Sequence, residues 1–243
     1  MLAGATSRLL LRAEVRHEGR TVVSHTLGLD PGEAFVPLDA PPPIGARVEL
    51  RLSFPRLVEP VVIDGVVTAH RASTGPGDPA GAVIALRVAS AADRARLAQL
   101  LSAAPDAAAD AVPGYRVLLV EDNALISDLF AYGVRKYFRE RRSGLVLDLA
   151  RDGAEALAKL QAAGCDLAIV DVYLPVLGGA ELIARMRRDP ALAGVAVVAI
   201  SVGGADAREA SLAAGADIFL HKPLVMRDLF ATLEWLTSQR SAP

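Results

Sequence analysis

The sequence predicts two domains: a small antiparallel β-barrel capped by a helix, followed by a doubly wound α/β domain with a five-stranded parallel sheet. In the first half, short strand-like runs are separated by Pro and Gly clusters, whereas strand-like and helix-like segments alternate in the second half. Between them, the segment APDAAADAVPG is rich in Ala, Pro, Asp and Gly, which favours a linker. The predicted boundaries are 1–103 for the barrel, 104–114 for the linker and 115–240 for the α/β domain.

Composition limits the classes of function. The 243 residues suffice for two ordinary domains, and 52% hydrophobic with 22% charged residues is typical of a globular protein. A net charge of -2 gives no overall attraction to a polyanion, which argues against nucleic acid as the main partner. The single cysteine, Cys165, cannot form an internal disulfide. No signal peptide is evident, and the longest apolar stretch, GVAVVAIS, is too short to insert across a bilayer, so we expect a cytoplasmic protein.

Six strands are predicted in the first half. They cover residues 9–16, 21–29, 33–38, 46–54, 59–72 and 80–88. The run ARVELRLSF alternates strictly, which predicts a half-buried antiparallel strand with one apolar face: Val48, Leu50, Leu52 and Phe54. After the strands, SAADRARLAQLL begins like a helix at Ser90 and Asp93, and this helix is expected to close the barrel.

Five strand and helix pairs are predicted in the second half. The strands are 116–120, 145–150, 167–171, 195–201 and 217–220, and the helices start near Asn123, Gly153, Gly179, Ala205 and Met226. Such alternation implies right-handed crossovers and a parallel sheet covered by helices on both faces. Ligands of such sheets bind at the carboxyl ends of the strands, so the residues there are the candidates for function.

Polar residues gather at those strand ends. The first strand ends at Glu121 and Asp122, the third at Asp171 and the fourth at Ser201, and Lys222 follows the fifth. Three converging carboxylates repel one another unless a cation is present, and Mg²⁺ suits a site with few carboxylates that keeps several waters. Asp171 would then be a nucleophile toward a phosphoryl group, while Ser201 and Lys222 interact with the phosphoryl oxygens.

The motifs VLLVEDN, DVYLPVLGG and FLHKPL, with Ser201 between the last two, give residues 115–240 a strong resemblance to the receiver domain of two-component response regulators. The resemblance implies that Asp171 is the phosphoacceptor and that Glu121 and Asp122 are the acid pair. It also implies that Mg²⁺ is held by these three carboxylates together with the backbone carbonyl of Tyr173.

The same resemblance assigns the remaining positions of the site. Ser201 is the hydroxyl position, Lys222 the lysine position, and Ser201 with Phe219 forms the switch that responds to phosphorylation. Val202 departs from the small residue usual after the hydroxyl and is expected to narrow the access of a phosphodonor. Phe219 has no hydroxyl, so its switching would be driven by packing alone.

The same strand-end aspartate also fits a class of enzyme. Phosphatases of the haloacid dehalogenase type also use a strand-end aspartate with Mg²⁺, but they place a second aspartate two residues later as general acid and base. Tyr173 occupies that position here, and it has no carboxylate to activate water. We therefore expect a site that holds a phosphoryl group and not an enzyme that turns it over.

The first half resembles a PilZ domain, a small barrel best known as a cyclic di-GMP receptor, through GLDPGEAF, PPPIGARVELRLSF and DGVVTAHR. Ligand-binding PilZ domains use an RxxxR arm and a (D/N)xSxxG turn. Arg8 and Arg12 have the arm's spacing and are weak candidates for cyclic di-GMP contacts, although they also fit ordinary strand-face charges. The turn, however, carries Gly28, Asp30 and Glu33, whose negative charges would repel a phosphate. A degenerate, protein-binding PilZ-like domain is expected.

The two resemblances together imply a response regulator without a DNA-binding element. Its phosphodonor would be a histidine kinase, and its receiver would control contacts of the PilZ-like domain with a downstream protein in motility or cell polarity. Two alternatives stay open: a cyclic di-GMP receptor tuned by phosphorylation, and a scaffold that acts independently of phosphorylation.

Overall fold

The computed structural model describes residues 10–54, 58–74, 79–102, 115–138 and 145–224, together with 226, 229, 230, 232 and 233. The chain divides into two compact units. The first combines residues 1–106 with 227–235, and the second combines 107–226 with 236–243. The predicted linker, 104–114, lies outside the described residues, and the predicted domain boundaries stay a prediction.

The first unit contains one antiparallel sheet of seven strands. They are β1 (Arg12–His17), β2 (Arg20–His25), β3 (Gly28–Leu29), β4 (Glu33–Pro37), β5 (Arg47–Phe54), β6 (Val58–Arg71) and β7 (Gly81–Arg87). The strand order is β2-β1-β5-β6-β7-β4-β3, which is a half-barrel. Near its opening the Ser24 hydroxyl on β2 donates to the carbonyl of Pro37 on β4, with the two oxygens 2.6 Å apart. The predicted architecture of this half is confirmed.

The predicted number of six strands is wrong, because the run at 21–29 is two strands separated at Thr26. The buried Thr26 N–H donates to the Leu11 carbonyl at 2.9 Å, and the Thr26 hydroxyl oxygen accepts the Leu11 N–H at 3.0 Å. The N–H of the next residue, Leu27, instead donates to the carbonyl of Phe35 on β4, near the opposite edge of the sheet, at 3.0 Å. A buried threonine thus supplies hydrogen-bond partners to backbone groups at the point where the chain leaves one neighbouring strand and pairs with another.

The alternation in β5 has the expected effect. Val48, Leu50 and Leu52 are all buried in the core of this unit, while the side chain of Phe54 lies outside the described residues. The helix α1 (Ala91–Ser102) begins as predicted, since the Ser90 hydroxyl oxygen accepts the N–H groups of the second and third helical residues at 3.1 and 3.3 Å.

The second unit alternates strands and helices as predicted. It contains β8 (Arg116–Val120), α2 (Ala124–Phe138), β9 (Val146–Ala150), α3 (Gly153–Ala163), β10 (Leu167–Asp171), α4 (Gly179–Arg188), β11 (Ala196–Ser201), α5 (Ala205–Ala213) and β12 (Ile218–His221). All strand pairs are parallel, in the order β12-β11-β10-β8-β9. The predicted doubly wound α/β fold is confirmed.

The sheet is buried on both faces, as parallel sheets are. β10 and β11 are buried along their whole length. Alternate residues of β8, β10 and β11 pack with α3 and α4 in one core: Leu118, Val120, Ala168, Val170, Val197 and Ala199. Within the part of the chain that the structure describes, no helix is long and apolar enough to span a membrane.

The strand order places a switch point between β8 and β10. From β8 the chain continues to β9 at one edge, whereas β10, β11 and β12 are added on the other side. The crossovers on the two sides of this point diverge and leave a crevice at the carboxyl ends of the strands. Candidate functional residues are therefore expected in the loops after β8 and β10.

Candidate functional site

The sheet brings the predicted site residues to one edge. Glu121 directly follows β8, Asp171 is the last residue of β10, and Ser201 is the last residue of β11. In the register, Val120 pairs with Val170, Asp171 with Ile200 and Ser201 with His221, so the four strands end close to one another. Each of these residues therefore enters the crevice at the switch point.

Lys222 joins two of the carboxylates. Its ammonium nitrogen lies 2.7 Å from Oε2 of Glu121 and 2.5 Å from Oδ2 of Asp171. The exposed fractions of the three side chains are only 15% for Lys222, 2% for Glu121 and 9% for Asp171. Burial opposes the charge of Lys222, but the hydrogen bonds that its ammonium donates to Asp171 and Glu121 outweigh this effect and raise the pKa of Lys222. The lysine is therefore a fixed cation inside the acidic cluster.

A third carboxylate completes the cluster. One oxygen each from Glu121, Asp122 and Asp171 lie within 4.8 Å of one another. The first and third are buried, whereas Asp122 is exposed and forms the solvent side of the group. Three carboxylates at one point, open to water on one side, match the oxygen donors and retained waters that Mg²⁺ prefers. The residues present fit a divalent cation.

The loop after β8 is fixed by local hydrogen bonds. Asn123 accepts the N–H groups of Leu125 and Ile126 on its side-chain oxygen at 3.0 and 3.3 Å, and so caps α2. The hydroxyl of Ser127 donates to the carbonyl of Glu121 at 3.2 Å. The order Glu121, Asp122, Asn123 thus combines two candidate cation ligands with a helix cap in three consecutive residues.

Ser201 and Phe219, the two predicted switch residues, lie on the neighbouring strands β11 and β12. Ser201 is fully buried, its side-chain oxygen accepts the N–H of Gly203 at 2.9 Å, and its carbonyl accepts the backbone N–H of Lys222 at 2.7 Å. Phe219, on β12, is half-buried and packs against the core of this unit. Val202 is exposed to solvent, with a relative exposure of 68% for the residue.

Two features of the site were not singled out from the sequence. A Cβ at Gly179 would clash with the carbonyl of Asp171, so α4 can approach the end of β10 only with glycine there. In the loop between them Val176 adopts φ 65°, a strained conformation for a β-branched residue. The repeated glycines in DVYLPVLGG were the available signal for close backbone approach. Nothing in the sequence indicates the strain at Val176.

The predicted turn and arm of the first unit have local partners. Asp30 Oδ1 accepts the N–H groups of Gly32 and Glu33 at 2.8 and 2.7 Å, so its carboxylate shapes the turn itself. Arg12 donates through Nε to Glu14 Oε1 at 3.0 Å. Arg8 lies outside the described residues. Arg12, the residue of the predicted arginine pair that the structure describes, thus has an acidic partner on the same strand.

The geometry defines a class of protein domain. It is a doubly wound α/β domain with an acid cluster, a hydroxyl and a lysine at the strand ends. Residues 117–234 match the family described as "Response regulator receiver domain". These residues are therefore a receiver domain of the kind found in two-component response regulators. The match covers all five strands of the parallel sheet apart from Arg116.

Two similar proteins match different shares of the chain. The transcriptional regulatory protein TcrA of Mycobacterium tuberculosis is 32% identical over 139 residues, which is 57% of this chain and 52% of that protein. The gliding motility regulatory protein of Myxococcus xanthus is 29% identical over 226 residues, 86% of this chain but 27% of that protein. The chain thus spans about half the length of the first, and about a quarter of the second.

Solved receiver structures are also similar. A CheY-like receiver domain protein from Methanospirillum hungatei has a TM-score of 0.45 at 27% identity, covering 52% of this chain and 96% of that one. The receiver domain of a sensor histidine kinase from Pseudomonas aeruginosa, solved with magnesium coordinated in its active site cleft, has a TM-score of 0.44 at 28% identity. It covers 51% of this chain and 98% of that one.

Proposed function

We propose that the protein is a response regulator whose receiver accepts a phosphoryl group on Asp171. The observation that carries this proposal is the Lys222 ammonium held between Glu121 and Asp171 beside the exposed Asp122. A cation fixed against the nucleophile is an arrangement suited to a reaction that delivers negative charge. A structural ion pair would not need the third carboxylate.

The residues divide the chemistry between them. An Asp171 oxygen attacks phosphorus, the bond to the donor's leaving group breaks, and the leaving group takes the electron pair. Lys222 neutralises one phosphoryl oxygen, and the Ser201 hydroxyl donates a hydrogen bond to another while its oxygen still accepts the Gly203 N–H. Glu121, Asp122, Asp171 and the Tyr173 carbonyl would hold Mg²⁺, which supplies further positive charge for the phosphoryl oxygens when bound.

Phosphotransfer to this aspartate has a direct test. The full chain with acetyl phosphate and Mg²⁺ should gain the mass of one phosphoryl group, whereas Asp171→Asn should gain none. Asp206→Asn changes an exposed aspartate at the start of α5 and serves as the matched control. A mass gain that persists in Asp171→Asn, or its absence from the wild type with every donor including a kinase, would exclude the proposal.

The proposed phosphodonor is a histidine kinase, and α2 offers it a surface. Leu125, Leu129 and Tyr132 are spaced along one side of α2 with exposed fractions of 77%, 65% and 58%. This apolar stripe begins three residues after Asp122, so a protein bound to it would lie beside the phosphoacceptor. Leu129→Ser should slow transfer from the kinase but leave phosphorylation by acetyl phosphate unchanged. Equal slowing with both donors would contradict this use of the stripe.

The first unit is proposed to be a degenerate PilZ-like domain that binds a protein. In its turn, Asp30 already occupies the N–H groups of Gly32 and Glu33, which would otherwise be available to an anion. Calorimetric titration of the full chain with cyclic di-GMP should show no binding in the low-micromolar range. Such binding, abolished by Arg8→Ala with Arg12→Ala, would favour the cyclic di-GMP receptor instead.

The regulated process is proposed to be motility or cell polarity. Support comes from the likeness to the gliding motility regulatory protein, which extends over 86% of this chain. The protein would act in the cytoplasm, where histidine kinases transfer phosphate, and would hold the phosphoryl group without catalytic turnover. Co-precipitation with phosphorylated protein and with Asp171→Asn tests for the downstream partner. A partner retained equally by both would favour the scaffold alternative.

A further inference from the structure

The strand that leads to Lys222 has fewer neighbours than the other strands of the site. β12 is four residues long, lies at the edge of the sheet and pairs with β11 alone. Asp217, the residue before β12, extends this pairing. Its N–H donates to the carbonyl of Val197 at 2.9 Å, and its carboxylate oxygen Oδ2 accepts the Val197 N–H at 2.8 Å. Asp217 thus holds the beginning of β12 on β11 through both its backbone and its side chain.

Arg187, in the last turn of α4, holds this aspartate in place. Its Nη2 donates to Oδ2 of the buried Asp217 at 2.9 Å. The same guanidinium donates to the carbonyls of Gly215 and Val195, at 2.9 and 2.8 Å, and so binds the segments before β12 and before β11. Asp217 and Arg187 together, here called the β12 clamp, therefore fix the start of the strand against both β11 and α4.

A second aspartate makes the same backbone contacts in the middle of the sheet. Asp166, just before β10, donates its N–H to the carbonyl of Arg116 at 2.9 Å and accepts the Arg116 N–H on Oδ2 at 2.8 Å. β10 carries Asp171 but lies between β8 and β11, so two strands fix its position as well. β12 has a neighbouring strand on one side only, and there the clamp supplies the further support.

We propose that the β12 clamp positions Lys222 in the site, so that Asp217 and Arg187 are positioning residues for phosphorylation. The inference rests on the proposed function. Asp217 precedes the first residue of β12 and Lys222 follows its last, so no loop separates them. A strand rising ~3.3 Å per residue is almost fully extended and absorbs little of a displacement at one end. A strand released at its start therefore holds the ammonium less firmly on Glu121 and Asp171.

A less firmly held lysine affects the two ligands of the site in opposite directions. Mg²⁺ and the ammonium compete for the carboxylates of Glu121 and Asp171, so loosening Lys222 permits tighter Mg²⁺ binding. A phosphoryl group needs the ammonium to neutralise one of its oxygens, so phosphorylation becomes slower. General damage to the domain would weaken both. The two measurements together thus distinguish a displaced lysine from a damaged domain.

The test uses the full chain with Asp217→Ala. Calorimetric titration should show Mg²⁺ binding at least about threefold tighter than in the wild type. Phosphorylation by acetyl phosphate, followed by intact mass, should be at least about threefold slower. Arg187→Lys keeps a counter-ion for Asp217 but loses the fork to the two carbonyls, and it should change both quantities in the same directions by at least about 1.5-fold. It carries the test if melting curves show that Asp217→Ala is unfolded.

Two controls separate positioning from stability. Asp166→Ala removes the matching side-chain contact at β10 and should leave the Mg²⁺ affinity at the wild-type value, even where it lowers the melting temperature. Adding Arg187→Lys to Lys222→Ala should not change the Mg²⁺ affinity of Lys222→Ala, because no ammonium is left to displace.

The clamp would be overturned by any of three results with folded variants. They are unchanged or weaker Mg²⁺ binding in the clamp variants, an equal gain in Asp166→Ala, and an equal gain when Lys222 is absent. A wild-type chain that never acquires phosphate on Asp171 would instead overturn the proposed function, while the Mg²⁺ affinities would still decide whether the clamp positions the lysine.

Discussion

Replacing Lys222 with alanine tests whether this lysine is the internal counter-ion of the acid cluster. The change leaves Glu121 and Asp171 buried side by side without their shared cation. Removing one partner of a buried ion pair costs about 3–5 kcal/mol, and the lower end applies here because Lys222 is 15% exposed. For a domain of this size, about 3 kcal/mol corresponds to a fall in melting temperature of roughly 12 °C.

A divalent cation should restore much of this loss. At a free Mg²⁺ concentration tenfold above its Kd, binding adds about 1.4 kcal/mol, or roughly 6 °C. In the wild type the ammonium already neutralises Glu121 and Asp171, so Mg²⁺ should raise the melting temperature less there than in Lys222→Ala. Scanning calorimetry of the full chain in chelator and in Mg²⁺ measures both effects on the transition of the second unit.

The control is Lys159→Ala, which removes an exposed lysine paired with Glu155 on α3 and should change the melting temperature little.

The pH dependence of the melting temperature gives a further check. Because the pKa of Lys222 is raised above its ordinary value of 10.5, the contribution of its ion pairs is complete below that value and is lost only as pH rises through the higher one. The deficit of Lys222→Ala should thus be constant between pH 6 and 9. Two results would refute this role of Lys222. One is a Lys222→Ala variant whose melting temperature in chelator equals that of the wild type, and the other is an equal rise in melting temperature with Mg²⁺ in both proteins.

Arg187→Ala should destabilise the second unit by about 3–5 kcal/mol in calorimetry, because Arg187 and Asp217 are a buried pair with exposed fractions of 13% and 6%. Arg185→Ala on the same helix, whose pair is exposed, should cost less than about 1 kcal/mol, and equal losses would contradict the difference in burial. Cys165 should react with thiol reagents at pH 8 only after unfolding, since burial raises the pKa of its thiol to about 11; fast labelling of the native chain would be inconsistent with this. Amide exchange with a phosphoryl mimic should change within residues 202–230, and changes confined to the first unit would locate the switch elsewhere.

Parallel topology is the reason why so much of the site could be predicted. Once strands and helices alternate, every strand runs the same way and its last residue reaches the same edge. Glu121, Asp171, Ser201 and Lys222 could thus be assigned together although up to 101 residues separate them. The antiparallel half offers no such constraint. There the partner of each strand depends on side chains such as the buried Thr26 hydroxyl, whose bond to Leu11 splits one predicted strand into two.

The contacts that set the behaviour of the site lie beyond the reach of sequence patterns. Strand ends predict that Tyr173 follows the phosphoacceptor, but only the path of the next loop places Gly203 under its ring. Likewise, the family pattern predicts Lys222, yet not that its backbone N–H binds the Ser201 carbonyl at 2.7 Å while its ammonium binds Asp171. Through that pair of contacts Lys222 connects Asp171 to the end of the Ser201 strand. In the proposed mechanism, a phosphoryl group that shifted the Ser201 backbone would therefore also shift the backbone of Lys222, to which it is hydrogen-bonded.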